Sequence, residues 1–164
     1  MTRHPGLPVI RVRPFNQVGP RQPSQYAAGH FARHLALIEA GSAPPRLEVG
    51  DLSAARDLTD VRDMVEAYRL LLDLGRPGEV YNAGSGVAVR MADVLDLLRA
   101  ECRVPIEVAP RPERMRPADS GVVLADASKL RRETGWAPQF TLRQTLHDTL
   151  ESWRHLATGA APSR

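Results

Sequence analysis

Apolar residues recur at three- and four-residue spacing along several stretches of the chain, and each such stretch predicts an amphipathic helix. The clearest starts at Thr59 or Asp60, either of which can cap it. It carries Val61, Met64, Val65, Tyr68, Leu71 and Leu72, and Gly75 with Pro77 closes it. Another follows Ser24, a capping residue, presents Ala27, Phe31, Leu35 and Ile38 on one face, and stops near Ala40 at Gly41. A third is marked by Met91, Val94, Leu95 and Leu98; its start lacks a good side-chain cap because Arg90 stands there. A shorter helix is predicted from Asp126 or Ser128 to Thr134, closed by Gly135. A longer one runs from Thr141 to Trp153, with Thr141 and Gln144 as a capping box and Leu142, Leu146, Leu150 and Trp153 on one face.

Short strand candidates fall between the helices: the β-branched Val9 to Arg13, stopped by Pro14, then Arg46 to Val49, Glu79 to Asn82 and a weaker Ile106 to Val108. Pro14 to Pro23 reads as a loop, Ala83 to Gly86 as a small-residue turn, and Pro110 to Pro117 as an exposed, proline-pinned basic loop. The tail from Ala157 to Arg164 is small and polar and is expected to fray. Alternating strands and helices define an α/β class. With 164 residues one core is expected, yet only two or three strands look long enough to join a sheet, too few for a self-sufficient doubly wound domain.

A composition of 43% hydrophobic and 25% charged residues predicts a folded chain rather than a disordered one. No apolar run approaches the roughly 18 residues of a membrane span, and Met1 to Pro5 has no secretory apolar region, so a cytoplasmic location and no membrane partner are expected. Cys102 is the single cysteine, which removes an internal disulfide and any multi-cysteine metal site. His30 and His34 share a helical face, but no third ligand accompanies them and no metal is expected. Twenty-two basic residues face nineteen acidic ones, and all the basic residues except Lys129 are arginines. Converging guanidinium forks suit an anionic small ligand. Nucleic acid is not an expected partner, because the eight aromatics are scattered and the charges alternate in sign.

Three segments carry candidate chemistry, each with a plainer reading beside it. Arg13-x-x-Asn16-x-x-Gly19-Pro20 leaves the carboxyl end of a strand, where open α/β sheets bind ligands. There Asn16 either donates to a diphosphate or sugar oxygen or stabilises its own turn. Arg56-Asp57-x-Thr59-Asp60-Val61-x-Asp63 sits at a helix start, where Arg56 and free N–H groups share an anion, or where Thr59, Asp60 and Asp63 simply cap. Arg111, Arg114 and Arg116 with Asp119 hold phosphates and a ribose diol, or form a solvated basic loop. Ser85 lies outside any Gly-x-Ser-x-Gly elbow, and Gly84-x-Gly86 is followed by Val89 where a dinucleotide fingerprint needs glycine.

Further stretches join these in order: Gly78-Glu79-Val80-Tyr81-Asn82-Ala83-Gly84-Ser85-Gly86, Arg116-Pro117-x-Asp119, and Asp126-x-Ser128-Lys129-Leu130 to Thr134-Gly135-Trp136-x-Pro138. With Arg13-Pro14-Phe15-Asn16 and Arg56 to Asp63, the set resembles, from about Pro8 to Arg154, the carboxyl-terminal half of the extended short-chain dehydrogenases acting on nucleotide sugars. The branch is that of GDP-mannose 4,6-dehydratase and GDP-4-keto-6-deoxymannose reductase, within the NAD-dependent epimerase/dehydratase family. The ending Thr145 to Arg154 looks more like the reductases. The resemblance implies the carboxyl-terminal part of a Rossmann-like fold: a substrate-binding subdomain plus a few sheet strands over residues 1–156, with 157–164 as a flexible tail.

It further implies a GDP-hexose substrate, with Asn16 and Arg56 at the diphosphate and Arg116 and Asp119 at the phosphate and ribose end. Enzymes of the family bind NAD(P) through an amino-terminal glycine-rich loop and use a Tyr-x-x-x-Lys pair for proton transfer. Four residues past Tyr26, Tyr68 and Tyr81 stand His30, Leu72 and Ser85, so this sequence carries no such pair. Neither NAD(P) binding nor turnover is therefore expected of the chain by itself, no residue in it is assigned a catalytic role, and a separate amino-terminal half or a homodimer partner is implied. Met1 falls just past where the tyrosine–lysine helix ends in the family, as expected of a truncated, split or excised product. The alternative is a non-catalytic nucleotide-sugar-binding or interaction module. Arg90 and Asp51 stand where the family tends to have a capping Ser or Thr and an Asn.

Overall fold

The computed structural model describes residues 7–111 and 121–159. Its elements, in chain order, are β1 (Arg11–Pro14), β2 (Asn16–Val18), α1 (Ala27–Glu39), β3 (Arg46–Val49), β4 (Ala55–Asp60), α2 (Val61–Leu74), β5 (Val80–Ala83), β6 (Ala88–Arg90), α3 (Met91–Ala100), β7 (Glu107–Pro110), β8 (Val122–Val123), α4 (Ser128–Thr134) and α5 (Leu142–Ala157). The strands form three small sheets. β1 pairs with β5 and β3 with β7, both parallel; β4 lies between parallel β2 and antiparallel β6 and also takes β8 in parallel.

The predicted helices all form, and several caps act as the sequence implies. Asp60 accepts from the Arg62 N–H at 2.8 Å, the Thr141–Gln144 box is complete, and α3 starts at Arg90 without a side-chain cap. Ser24 does not cap α1, which begins after Tyr26. The structure has strands that the sequence pattern does not predict: β2 lies inside the expected loop from Pro14 to Pro23, and β4 occupies the stretch expected to open a helix. The reason is patterning. β4 buries Asp57 and Thr59 and leaves Arg56 and Leu58 half-exposed, so its buried face is the polar one and the alternation carries no apolar signal. In α2 the buried stripe is Met64, Ala67 and Leu71, while Val65 and Leu72, expected on the core face, stay 60% and 83% exposed.

The described residues form two hydrophobic clusters where one core was expected. The larger joins α1, α3 and α5 to β3 through Phe31, Leu35, Leu47, Val94, Leu98 and Leu150. The smaller packs Met64, Leu71, Tyr81, Leu130 and Trp136 between α2, β5 and α4. Asp63, foreseen as a cap, is instead buried and accepts from the Gln139 and Phe140 N–H groups, while Trp136 Nε1 donates to its carbonyl at 2.9 Å. The α1–α5 seam is closed by a buried pair: Arg154 Nε and Nη2 each donate to Glu39 at 2.7 Å, and the Arg103 N–H adds a third bond at 2.8 Å. Burial works against the Glu39 carboxylate, but Arg154 and the Arg103 N–H together hold it below the ordinary glutamate range.

One edge of β1 has no strand beside it among the described residues. The Gly78 N–H reaches Val9 O, and the Arg11 and Phe15 N–H groups reach Glu79 O and Ala83 O on the β5 side. Alternation therefore turns the main-chain groups of Ile10, Val12 and Pro14 to the open side. Leu7, Val9 and Leu74 are exposed nearby in the sequence of the flanking segments. Parallel sheets are normally covered on both faces and edges, so this pair resembles part of a larger sheet.

Candidate functional site

Asn16 opens β2 immediately past the carboxyl end of β1, and the β2–β4 register sets it against Leu58, two residues beyond Arg56. Both side chains line one cavity of about 740 Å³. Arg56 is therefore a strand residue, five positions ahead of α2, and not a member of that helix's N-terminal anion site; the capping reading is correct for Asp60 alone. Thr59 is buried within β4, its hydroxyl 3.4 Å from Asp57. Arg116 and Asp119, with Arg114, lie outside the described residues; Arg111 donates to Glu48 at 2.7 Å.

The β2–α1 connection builds the rest of the cavity wall. At Gly19 the chain passes so close to α2 that a Cβ would lie 2.7 Å from Val61 Cγ1. Arg21 follows with φ at 67°, its N–H donating to Ser152 Oγ at 3.2 Å. Gln22 folds back so that its Nε2 donates to Gln17 O at 2.6 Å, leaving Oε1 buried without a partner. Arg21, Tyr26 and Asp51 also line the cavity. The Ser53 hydroxyl and N–H hold the Asp51 carboxyl below the ordinary aspartate range, the latter by a 2.8 Å bond. The wall thus presents two guanidinium groups, one carboxylate and several amides, a set able to grip an anionic, hydroxyl-bearing ligand. Arg21, Gln22 and Tyr26 were not singled out from the sequence, because a loop's fold-back leaves no periodic trace.

Arg56 itself donates to Ala55 O at 2.9 Å and to Gly121 O. His30 and His34 serve packing: their Nε2 atoms sit 3.4 Å from Glu48 O and 3.2 Å from Arg46 O, tying α1 to β3. Among the described residues no group of three or more His, Cys, Asp or Glu is placed to hold a metal, and no helix is long and apolar enough to cross a membrane.

Parallel strands with flanking helices place the described residues in the α/β class, and the solved structures that the chain superposes on are of the Rossmann-like kind. The chain belongs to the GDP-mannose 4,6-dehydratase family, whose model matches residues 1–149. It is 37% identical over 148 residues to the GDP-6-deoxy-D-mannose reductase of Pseudomonas aeruginosa, covering 90% of this chain and 49% of that protein. It is 31% identical to the dTDP-glucose 4,6-dehydratase of Xanthomonas campestris over 89% of this chain and 42% of that one. The solved structure of RMD from Pseudomonas aeruginosa complexed with NADPH superposes with a TM-score of 0.87 at 35% identity, over 93% of this chain and 50% of that chain. The chain thus spans about half the length of the relatives it matches.

Proposed function

We propose that residues 1–156 are the nucleotide-sugar-binding portion of an NAD(P)-dependent GDP-sugar reductase or 4,6-dehydratase, with Asn16, Arg56, Arg116 and Asp119 as its substrate-binding residues. The observation that carries this reading is the meeting of Asn16 and Arg56 in one cavity, although 40 positions separate them in sequence. Arg56 supplies a guanidinium fork for a diphosphate and Asn16 an amide for a phosphate or sugar oxygen. Similarity to a GDP-sugar reductase at 37% and to a dTDP-sugar dehydratase at 31% supports the guanosine and reductase side. Hydride transfer requires a cofactor loop and a proton-transfer tyrosine that this sequence does not contain, so chemistry belongs to a complementary half; the open edge of β1 supports such a neighbour.

The test is calorimetric titration of the chain with GDP, GMP and inorganic diphosphate. GDP is expected to bind more tightly than GMP, and Arg56→Ala to weaken GDP and diphosphate alike. Equal affinity for GDP and GMP, or an unaffected Arg56→Ala variant, would refute the assignment.

A further inference from the structure

Asp57 is completely buried in the middle of β4, and its hydrogen-bond partners are main-chain N–H groups and hydroxyls. Burying a carboxylate is costly unless donors replace the lost water, and here they come from two other segments of the chain. Oδ1 accepts from the Ser85 N–H at 2.8 Å and the Ser85 hydroxyl at 2.6 Å; Oδ2 accepts from the Gly86 N–H at 2.8 Å and the Ala125 N–H at 3.1 Å. The carboxylate therefore ties two segments to β4: both oxygens hold the turn after β5, and Oδ2 alone also holds the segment after β8.

That second segment leads to Arg56. β8 runs parallel to β4, with Val122 and Val123 against Ala55 and Arg56, and its near end presents Gly121 O to the Arg56 guanidinium. Arg56 and Asp57 point to opposite faces of β4, so the segment from Gly121 to Ala125 is held at one end by each. Space is tight on the Asp57 side: a Cβ at Gly84 would lie 2.4 Å from the Ala125 Cβ and 2.9 Å from Asp57 Oδ2. We propose that Asp57 is a positioning residue of the cavity: by tying Ala125 to β4 it fixes the strand whose Gly121 carbonyl holds the Arg56 guanidinium where the cavity needs it. The consequence for ligands rests on the nucleotide reading above; the mechanical link does not.

The test reads the two separately. In a chain labelled with 15N-arginine, the Arg56 guanidinium signals, identified by their loss in Arg56→Ala, are expected to show hindered rotation. Asp57→Asn places an amide –NH2 or a weaker oxygen against one pair of donors, and is expected to loosen that rotation in part, the contact with Ala55 O remaining. Ser85→Ala removes a bond of the same carboxylate on the Oδ1 side and is expected to leave the signals as in the wild type. For GDP, Asp57→Asn is expected to weaken binding about tenfold, as for one charged hydrogen bond. The double variant Asp57→Asn/Arg56→Ala is expected to bind no worse than Arg56→Ala alone, because Asp57 acts through Arg56. Should Asp57→Asn fail to fold, Gly84→Ala replaces it: it keeps the carboxylate's charge while its Cβ crowds both Ala125 and Asp57 Oδ2, and Ala125→Gly, which relieves the first contact, is expected to rescue it in part. Unchanged Arg56 signals in a folded Asp57→Asn or Gly84→Ala variant would overturn the proposal. GDP failing to bind the wild type while the Arg56 signals respond as expected would instead sink the nucleotide reading alone.

Discussion

Replacing Glu39 by glutamine probes the seam between α1 and α5 without changing its shape. The side chains of Glu39 and Arg154 are 8% and 10% exposed, and the pair is bidentate, with both bonds at 2.7 Å. Removing one partner of a buried pair costs about 3–5 kcal/mol, because the other charge is left uncompensated. Arg154 keeps Glu151 at 2.5 Å and Glu101 O at 2.8 Å, so the lower end, about 3 kcal/mol, is expected. For a chain of this size that is a fall in melting temperature of about 6–12 °C. The pH dependence follows from the depressed Glu39 carboxyl. Its stabilising contribution is complete above the unfolded glutamate value of about 4.3 and is lost as pH falls through the lower folded value. Glu39→Gln should therefore lose stability near neutrality and show a shallower acid decline. The decline stays finite because Asp60, buried but bonded to Arg62 and Thr145, is also held below its ordinary range. Calorimetric or urea unfolding between about pH 3 and 7 checks both statements. A loss under about 1 kcal/mol, or an equal loss in an Arg154→Met background, would refute the argument that the lost charge pairing with Arg154 sets the cost.

Arg116→Ala is expected to weaken GDP binding by about 1.5–3 kcal/mol, the range for a hydrogen bond to a charged group, as measured by calorimetry. Asp119→Ala should weaken GDP while leaving inorganic diphosphate, which has no ribose, nearly untouched. Purified chain incubated with GDP-mannose or GDP-4-keto-6-deoxymannose and either nicotinamide cofactor is expected to show no turnover; activity that follows the pure protein would contradict this. Sedimentation and dye binding should reveal concentration-dependent association through exposed residues such as Leu72 and Val65, and a sharply melting monomer that binds no dye would contradict that.

Helices were legible because their signals are local. Asp60, Gln144 and Gly135 act within one turn of their own helices, and periodicity found the helices, though in α2 it also counted the exposed Val65 and Leu72 into the buried stripe. Strands were legible where a short apolar-containing run is bounded by proline and glycine turn residues, as in β1, β3 and β5. β4 escaped because its two faces are set by distant partners: Asp57 is buried by donors 28 and 68 positions away, and a sequence read locally assigns such a residue to solvent or to a cap. The same holds for Val65 and Leu72, whose spacing fits a core that the described residues do not provide. At the site, strand-end and helix-start placement raised Asn16 and Arg56 and the resemblance assigned them, while Arg21, Gln22 and Tyr26 join the cavity wall through a backbone fold-back that leaves no sequence period.

The open edge of β1 also has a bearing on how copies of the chain meet. If two edges approached in antiparallel fashion about Val12, Arg11 of each would face Arg13 of the other, and Ile10 would face Pro14. Like charges directly opposite repel, and a proline offers no donor to the ladder. The strand therefore discourages a second copy of itself, while its Ile10 and Val12 donors, which no strand meets among the described residues, suit a parallel neighbour of different sequence. Association driven by the exposed apolar residues would then be amorphous, without the ordered ribbon growth that an unguarded edge invites.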